Sequence, residues 1–377
     1  MSAPQSANPA EGQATRSTLF SLQAMRGIAA FAVAVYHTNL ILKEPVYGGI
    51  HAFDTVASRG WTGVNFFFVL SGFIILYAHA KDIGMPARAG RYLWRRFSRV
   101  YPVYWLVLTG FIAASSMGLG HAEFTTAPLH LLSSYTLLRI VPAPDLPLQV
   151  AWTLVYEVTF YLAFLVVILN RRIGFTLIAL WTTAVLINGL ILGDSQTGWT
   201  HVWNLYFLIG ALSFAAFQRI HGAKAGGLLF AAGFALLAIL FGAGLVDPRL
   251  GFGQGKPLLL IALAVGFALI LLGSVVFERA RPLRVPATLV LLGEASYAIY
   301  LVHSPVISLL AGLNRRLLYG AIPAEILFFL ILAASVLAGL VAHFILEKPL
   351  LRLMRGFERS RAGNGTAQGE VRRAEAR

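Results

Sequence analysis

The chain has 377 residues, of which 58% are hydrophobic and 12% charged, and its mean hydropathy is +0.72. These proportions lie outside the range of soluble domains, and the lack of any cysteine excludes disulfides, thiolate metal sites and a cysteine nucleophile. The formal net charge of +14 does not point to nucleic acid, because the basic residues sit in short segments between apolar blocks, where they report membrane topology.

Apolar blocks long enough to cross a bilayer fall near residues 21–42, 61–80, 100–118, 151–170, 173–192, 200–217, 225–246, 257–277, 287–310 and 324–346. They predict an all-α integral membrane protein, a bundle of about ten transmembrane helices. The first twenty residues are polar with Arg16 as their one basic residue, so they do not form the charged start of a signal peptide. The first span is therefore expected to stay. With the N-terminus inside, the inner segments carry 23 of the 30 Lys and Arg residues, which places both termini in the cytoplasm. The chain divides into a polar tail (1–20), one transmembrane domain (21–350) and a basic tail (351–377) expected to be disordered.

The first span, LQAMRGIAAFAVAVYHTNLIL, carries Arg26 near one end and His37 deep inside. Eleven residues are three helical turns plus about 20°, so both lie on one face, about 16 Å apart along the axis. Ionisable groups at membrane depth are costly, so a shared stripe suggests a working surface. Two plainer readings stand beside it: Arg26 snorkelling to headgroups, and His37 hydrogen-bonded to a neighbouring helix. The second span, WTGVNFFFVLSGFIILYAHA, contains Asn65, Ser71 and Gly72, and close helix packing accounts for the small pair.

Residues 81–99 then gather Arg88, Arg91, Arg95, Arg96 and Arg99 before the third span. Arg96 and Arg99 are neighbours on a helix face, and the planar fork of arginine suits phosphate oxygens. An ordinary positive-inside anchor is the competing reading. The outer loop 119–150 contains APLHLLSSYTLLRI, a candidate interfacial helix, and the proline-rich exit VPAPDLP. The fourth span, AWTLVYEVTFYL, buries Glu157 and calls for a partner. The ninth, LLGEASYAIYLVHSPV, adds Glu294, Ser296, Tyr297, Tyr300 and His303. Counted from the ends of their spans, His37, Glu157 and His303 fall in the outer half and Arg26, Arg96 and Arg99 in the inner half. That describes a path with a cationic inner mouth and an acid–base site further out.

RGIAAFAVAVYH, GVNFFFVLSGFI, RRFSRVYPVYW, AWTLVYEVTFY and SYAIYLVH, in this order, resemble the membrane-bound acyltransferase-3 family over about residues 20–350. The ordered set is specific where each piece alone is not. The resemblance implies O-acylation of surface polysaccharides or related acceptors at the bacterial cytoplasmic membrane. It implies acetyl-CoA or another acyl-CoA as the cytoplasmic donor, and a hydroxyl-bearing, carbohydrate-type acceptor on the outer side. The family's arginine–histidine pattern falls on Arg26 and His37, and its arginine pair on Arg96 and Arg99; Ser71 is placed with the donor set. His37 is then the expected general base, or alternatively the group that accepts the acyl chain, with Glu157 and His303 as its catalytic companions. No metal is called for. Some members append a periplasmic hydrolase-like domain that completes transfer; none is present in this sequence, so that two-stage version is not expected, and direct transfer and an acyl-enzyme intermediate both stay open.

Two look-alikes are set aside as turns. Gly193-Asp194-Ser195 mimics an esterase nucleophile block with no domain around it, and GFGQGKP at 251–257 mimics a P-loop but is one residue short and has Pro257 where Ser or Thr belongs. The rival function is a secondary transporter or flippase for a small anionic solute, which buried His, Glu and Arg also suit. It calls for broken helices at matching positions in two halves, and the sequence offers none.

Overall fold

The computed structural model describes residues 19–118, 124–141, 145–192, 198–247 and 256–358. The readings of residues 1–18, of Gly193-Asp194-Ser195, of most of GFGQGKP, of the middle of VPAPDLP and of the tail from 359 onward concern residues outside this set. The helices are α1 (Phe20–Leu42), the short α2 (Asp54–Ala57), α3 (Thr62–His79), α4 (Ala89–Ser116), α5 (Pro128–Thr136), α6 (Trp152–Leu169) and α7 (Arg171–Leu186). They are followed by α8 (Trp203–Arg219), α9 (Ala223–Gly242), α10 (Pro257–Ala280), α11 (Ala287–Glu294), α12 (Ser296–Leu317) and α13 (Ala324–Ala342). Nine helical stretches among the described residues are long and apolar enough to cross a membrane, and the 17-residue α8, packed against α3, α10 and α6, brings the bundle to ten.

Three boundaries differ from the sequence reading, each for a physical reason. First, α4 begins at Ala89, not near residue 100, so Arg91, Arg95, Arg96 and Arg99 ride on a helix instead of a loop. Their charge hides a helix that apolarity alone does not register. Second, the block 287–310 is two helices broken at Ala295. The break lets α11 press against α1 through facing glycines: a Cβ on Gly293 would strike the Gln23 carbonyl, and one on Gly27 would come 2.9 Å from the Gly293 nitrogen. Third, α13 continues through a π-helical turn, His343–Glu347, and stays helical to residue 358. A second close crossing joins α3 to α8, where a Cβ at Gly72 would meet the Phe207 carbonyl and one at Gly210 the Val69 carbonyl.

The aromatic ladder of α4 has a structural purpose. Tyr101, Tyr104 and Trp105 donate to the carbonyls of Thr136, Ser134 and Tyr135 at 2.7–2.8 Å, satisfying the C-terminal end of α5. The helix stops at Leu137, fully buried in the left-handed conformation at φ 55°.

The connections sort into two ends. Gly84 bonds the Val167 carbonyl, Arg279 bonds the carbonyls of Phe217 and Ile220, Glu358 bridges Arg91 and Arg95, and Glu278 caps the start of α1 at Phe20. These are the segments the charge count assigns to the inner side. At the other end Gly48 approaches Tyr319, and Trp181 bonds the Trp199 carbonyl. If the basic end faces the cytoplasm, Ala87→Cys in intact cells resists a membrane-impermeant maleimide while Thr126→Cys reacts with it. The cysteine-free background makes the comparison clean, and the reverse labelling pattern would invert the donor side.

Candidate functional site

Five helices, α1, α3, α4, α6 and α12, enclose a cavity of about 800 Å³, its open mouth included. Arg26, Ser71, Arg96, Arg99 and Glu157 all line it, with Tyr161, Ser296, Tyr297 and Tyr300. Local packing turns each side chain inward. On α4, Arg95 is drawn outward to Glu358, and one residue on, about 100° around the helix, Arg96 faces the bundle. On α3, Gly72 is pressed against α8, which leaves its neighbour Ser71 on the cavity face. On α1, Gly27 packs on α11 and Arg26 reaches α12, where its Nη2 donates to Ser296 Oγ at 2.9 Å.

The polar groups are layered along the bundle. Innermost, Tyr92 donates to the Tyr161 carbonyl, and the Arg96 guanidinium lies 5.5 Å from the Tyr161 ring. One turn outward, Glu157 accepts the Tyr161 hydroxyl, and Tyr297 donates to the Val100 carbonyl. Next, Tyr300 donates to the Val150 carbonyl at 2.7 Å and lies 2.7 Å from Thr153 Oγ1. Three guanidiniums against the single carboxylate of Glu157 leave the cavity walls cationic. From α13's extension, buried Glu347, held by His343 Nδ1 at 2.8 Å, also acts electrostatically on Arg26.

His37 and His303 lie beyond Tyr300 and do not line the cavity. The Tyr300 ring is 5.8 Å from that of His303, which is 1% exposed, while His37 is half-buried. Their hydrogen bonds fix the tautomers. His303 Nδ1 is 3.0 Å from the Ile299 carbonyl, a pure acceptor, so it carries the proton and leaves Nε2 as an acceptor. His37 Nδ1 lies 3.0 Å from the Val33 carbonyl and 3.1 Å from that His303 nitrogen, so it too is protonated. The lone pair of His37 is therefore on Nε2, free of both contacts.

The sequence reading is corrected at Glu157. It does not share a site with His37; it stands among the arginines, and His303 is the partner of His37. The segment before α6 is drawn into the bundle, with Leu148, Val150 and Ala151 at 2% exposure or less, so α6 begins deep and Glu157 sits deeper than its distance from the span end suggests. Glu294 is exposed and outside the cavity. Arg26 and His37 do share one face, and both are met by α12. Sequence reasoning missed Tyr161, His79, His343 and Glu347. Spacing carried a signal for two of these contacts: Glu157–Tyr161 and His343–Glu347 are each four apart, neighbours on a helix.

A family model described as an acyltransferase domain matches residues 19–345. The chain is 31% identical over 309 residues to the exopolysaccharide production protein ExoZ of Rhizobium meliloti (strain 1021), a match covering 78% of this chain and 90% of that protein. No solved structure matches the chain.

Proposed function

The chain belongs to the acyltransferase-3 family and is a membrane acyltransferase, and from that premise we propose that it moves an acetyl or similar acyl group from acyl-CoA to a hydroxyl of a polysaccharide. The observation that carries the reading is the convergence of Arg26, Arg96 and Arg99 on one cavity, a single aromatic layer from His303, which in turn contacts His37. Coenzyme A presents a diphosphate and a 3′-phosphate, polyanions that guanidinium forks bind with charge-assisted hydrogen bonds. Arg96 Nε is buried and meets no acceptor among the described residues, the condition expected of a donor awaiting a ligand oxygen.

In this reading the phosphates lie at the arginine layer, toward the cytoplasm, and the pantetheine arm runs outward past Ser71 and Tyr300. His37 Nε2 takes the proton of the acceptor hydroxyl as its oxygen attacks the thioester carbonyl. The C–O bond forms, the C–S bond breaks, and the thiolate leaves to be protonated in turn. His303 orients the base through the Nδ1 contact, the part a carboxylate takes in a hydrolytic triad. Glu157 serves the donor end, where it holds Tyr161 and balances the arginines. The polysaccharide acceptor is inferred from the exopolysaccharide relative.

Protein in lipid nanodiscs, incubated with acyl-labelled acetyl-CoA and cell-envelope glycans, is expected to label a glycan and release one thiol per acyl group transferred. The absence of both coenzyme A binding and label transfer from every acyl-CoA tried would overturn the reading.

A further inference from the structure

His79 ends α3, is 3% exposed, and has no part in the chemistry above. Its Nδ1 lies 2.8 Å from Asp82 Oδ2, and Asp82 Oδ1 takes a second bond from Arg88 Nη1 at 2.7 Å. On the other side of the ring, Nε2 lies 3.0 Å from Arg96 Nη2. A guanidinium only donates and a carboxylate only accepts. Nε2 is therefore the acceptor and Nδ1 carries the ring's proton. The direction of the chain is fixed: Arg88 and His79 donate to Asp82, and Arg96 donates to His79. The Tyr92 ring packs edge-on at 5.0 Å and sets the imidazole plane, and Arg95 is the other charge acting on it.

We propose that His79, braced by Asp82, is a positioning residue that aims Arg96 at the anionic donor. This rests on the acyl-CoA reading. The chemistry explains why a neutral imidazole stands here. A carboxylate in its place would pair with Arg96 and cancel its charge. The imidazole holds one amino group and leaves the full positive charge, and the unpartnered Nε, for a phosphate oxygen. Protonation of His79 turns the acceptor into a donor and sets a second cation beside the guanidinium, which releases Arg96. Donor binding therefore favours neutral His79, so affinity falls as pH drops through the titration of this ring.

The test uses the full chain in nanodiscs, with coenzyme A as the probe, across a pH series from about 7.5 down to about 4.5, which extends well below the reference histidine value. The 3′-phosphate titrates in the same range, so the difference between proteins is what is read. Wild type is expected to lose more affinity toward the acid end of the series than His79→Gln, whose amide oxygen still accepts from Arg96 but does not titrate. At the alkaline end His79→Gln binds like wild type, and His79→Leu binds about tenfold more weakly. Equal pH dependence in wild type and His79→Gln, or wild-type affinity in His79→Leu, overturns the proposal. A second readout needs no donor: ¹⁵N NMR of histidine-labelled protein, with the His79 ring identified by its loss in His79→Gln. A neutral ring protonated on Nδ1, whose shifts change in Arg96→Ala, is expected, and an Nε2-protonated ring overturns the relay. If coenzyme A does not bind wild type at all, the donor reading falls, and the NMR result alone decides whether His79 positions Arg96.

Discussion

Replacing His37 with glutamine is expected to lower the transfer rate by about 10²–10⁴ while donor affinity stays at its wild-type level, since a lost general base has an effect of that size. Glutamine keeps a hydrogen-bonding group near the Val33 carbonyl and His303 but has no lone pair able to take a proton at neutral pH. The effect belongs in kcat, because His37 stands outside the cavity that would hold the donor. His303→Gln should do less damage, because its amide oxygen can still accept from His37 Nδ1 and keep the ring oriented. Steady-state kinetics with saturating acyl-CoA make the comparison. Near wild-type turnover in folded His37→Gln protein would remove His37 as the base and transfer the role to His303.

The second large effect is on donor affinity. The double variant Arg96→Ala, Arg99→Ala removes two of three guanidiniums from the cavity, and a hydrogen bond to a charged group contributes about 1.5–3 kcal/mol, so each loss weakens binding by roughly tenfold or more. The two should not add fully, because neighbours that share one ligand are coupled. Lysine in either place should restore only part, since it keeps the charge and loses the fork. Arg91→Ala is the control: that side chain is exposed, pairs with Glu358, and lies outside the cavity. Isothermal titration with coenzyme A at constant ionic strength reads all four. Unchanged affinity in the double variant would leave the pair as a topology anchor.

Much of this arrangement is legible in the sequence because helical geometry is periodic. The eleven-residue interval from Arg26 to His37 fixes a common face, and the structure has α12 meeting that face at Ser296 and again at His303. The three-residue interval from Arg96 to Arg99 likewise puts both in the cavity. What the sequence withholds is depth. Counting from the end of an apolar block assumes the block ends at the membrane surface. That fails for α6, whose preceding turn is buried, and it misplaced Glu157. His79 was invisible for a different reason: its role depends on Arg96, seventeen residues on, and no helical period links the two. The break at Ala295 was hidden because the segments 287–293 and 297–310 are both largely apolar and read as one block, although Glu294 and Ser296 flank the break itself.

Tyr300 has a consequence for the ion tightness of any membrane the bundle spans. A protein that carries polar groups from one face of a bilayer toward the other risks becoming a proton wire, and each charge crossing a potential of 100 mV dissipates about 2.3 kcal/mol. Here the charged cavity ends at Tyr300, whose hydroxyl is committed to Val150 and Thr153, and the histidines begin only behind its ring. The Phe67 ring, 6.3 Å away, thickens that partition. An uncharged, flexible chain can be threaded past such a plug more readily than an ion, because the Tyr300 hydroxyl is already hydrogen-bonded to its own wall. In the proposed reading, the bundle hands an acyl group past this plug while the hydroxyl at its centre stays tied to its own wall.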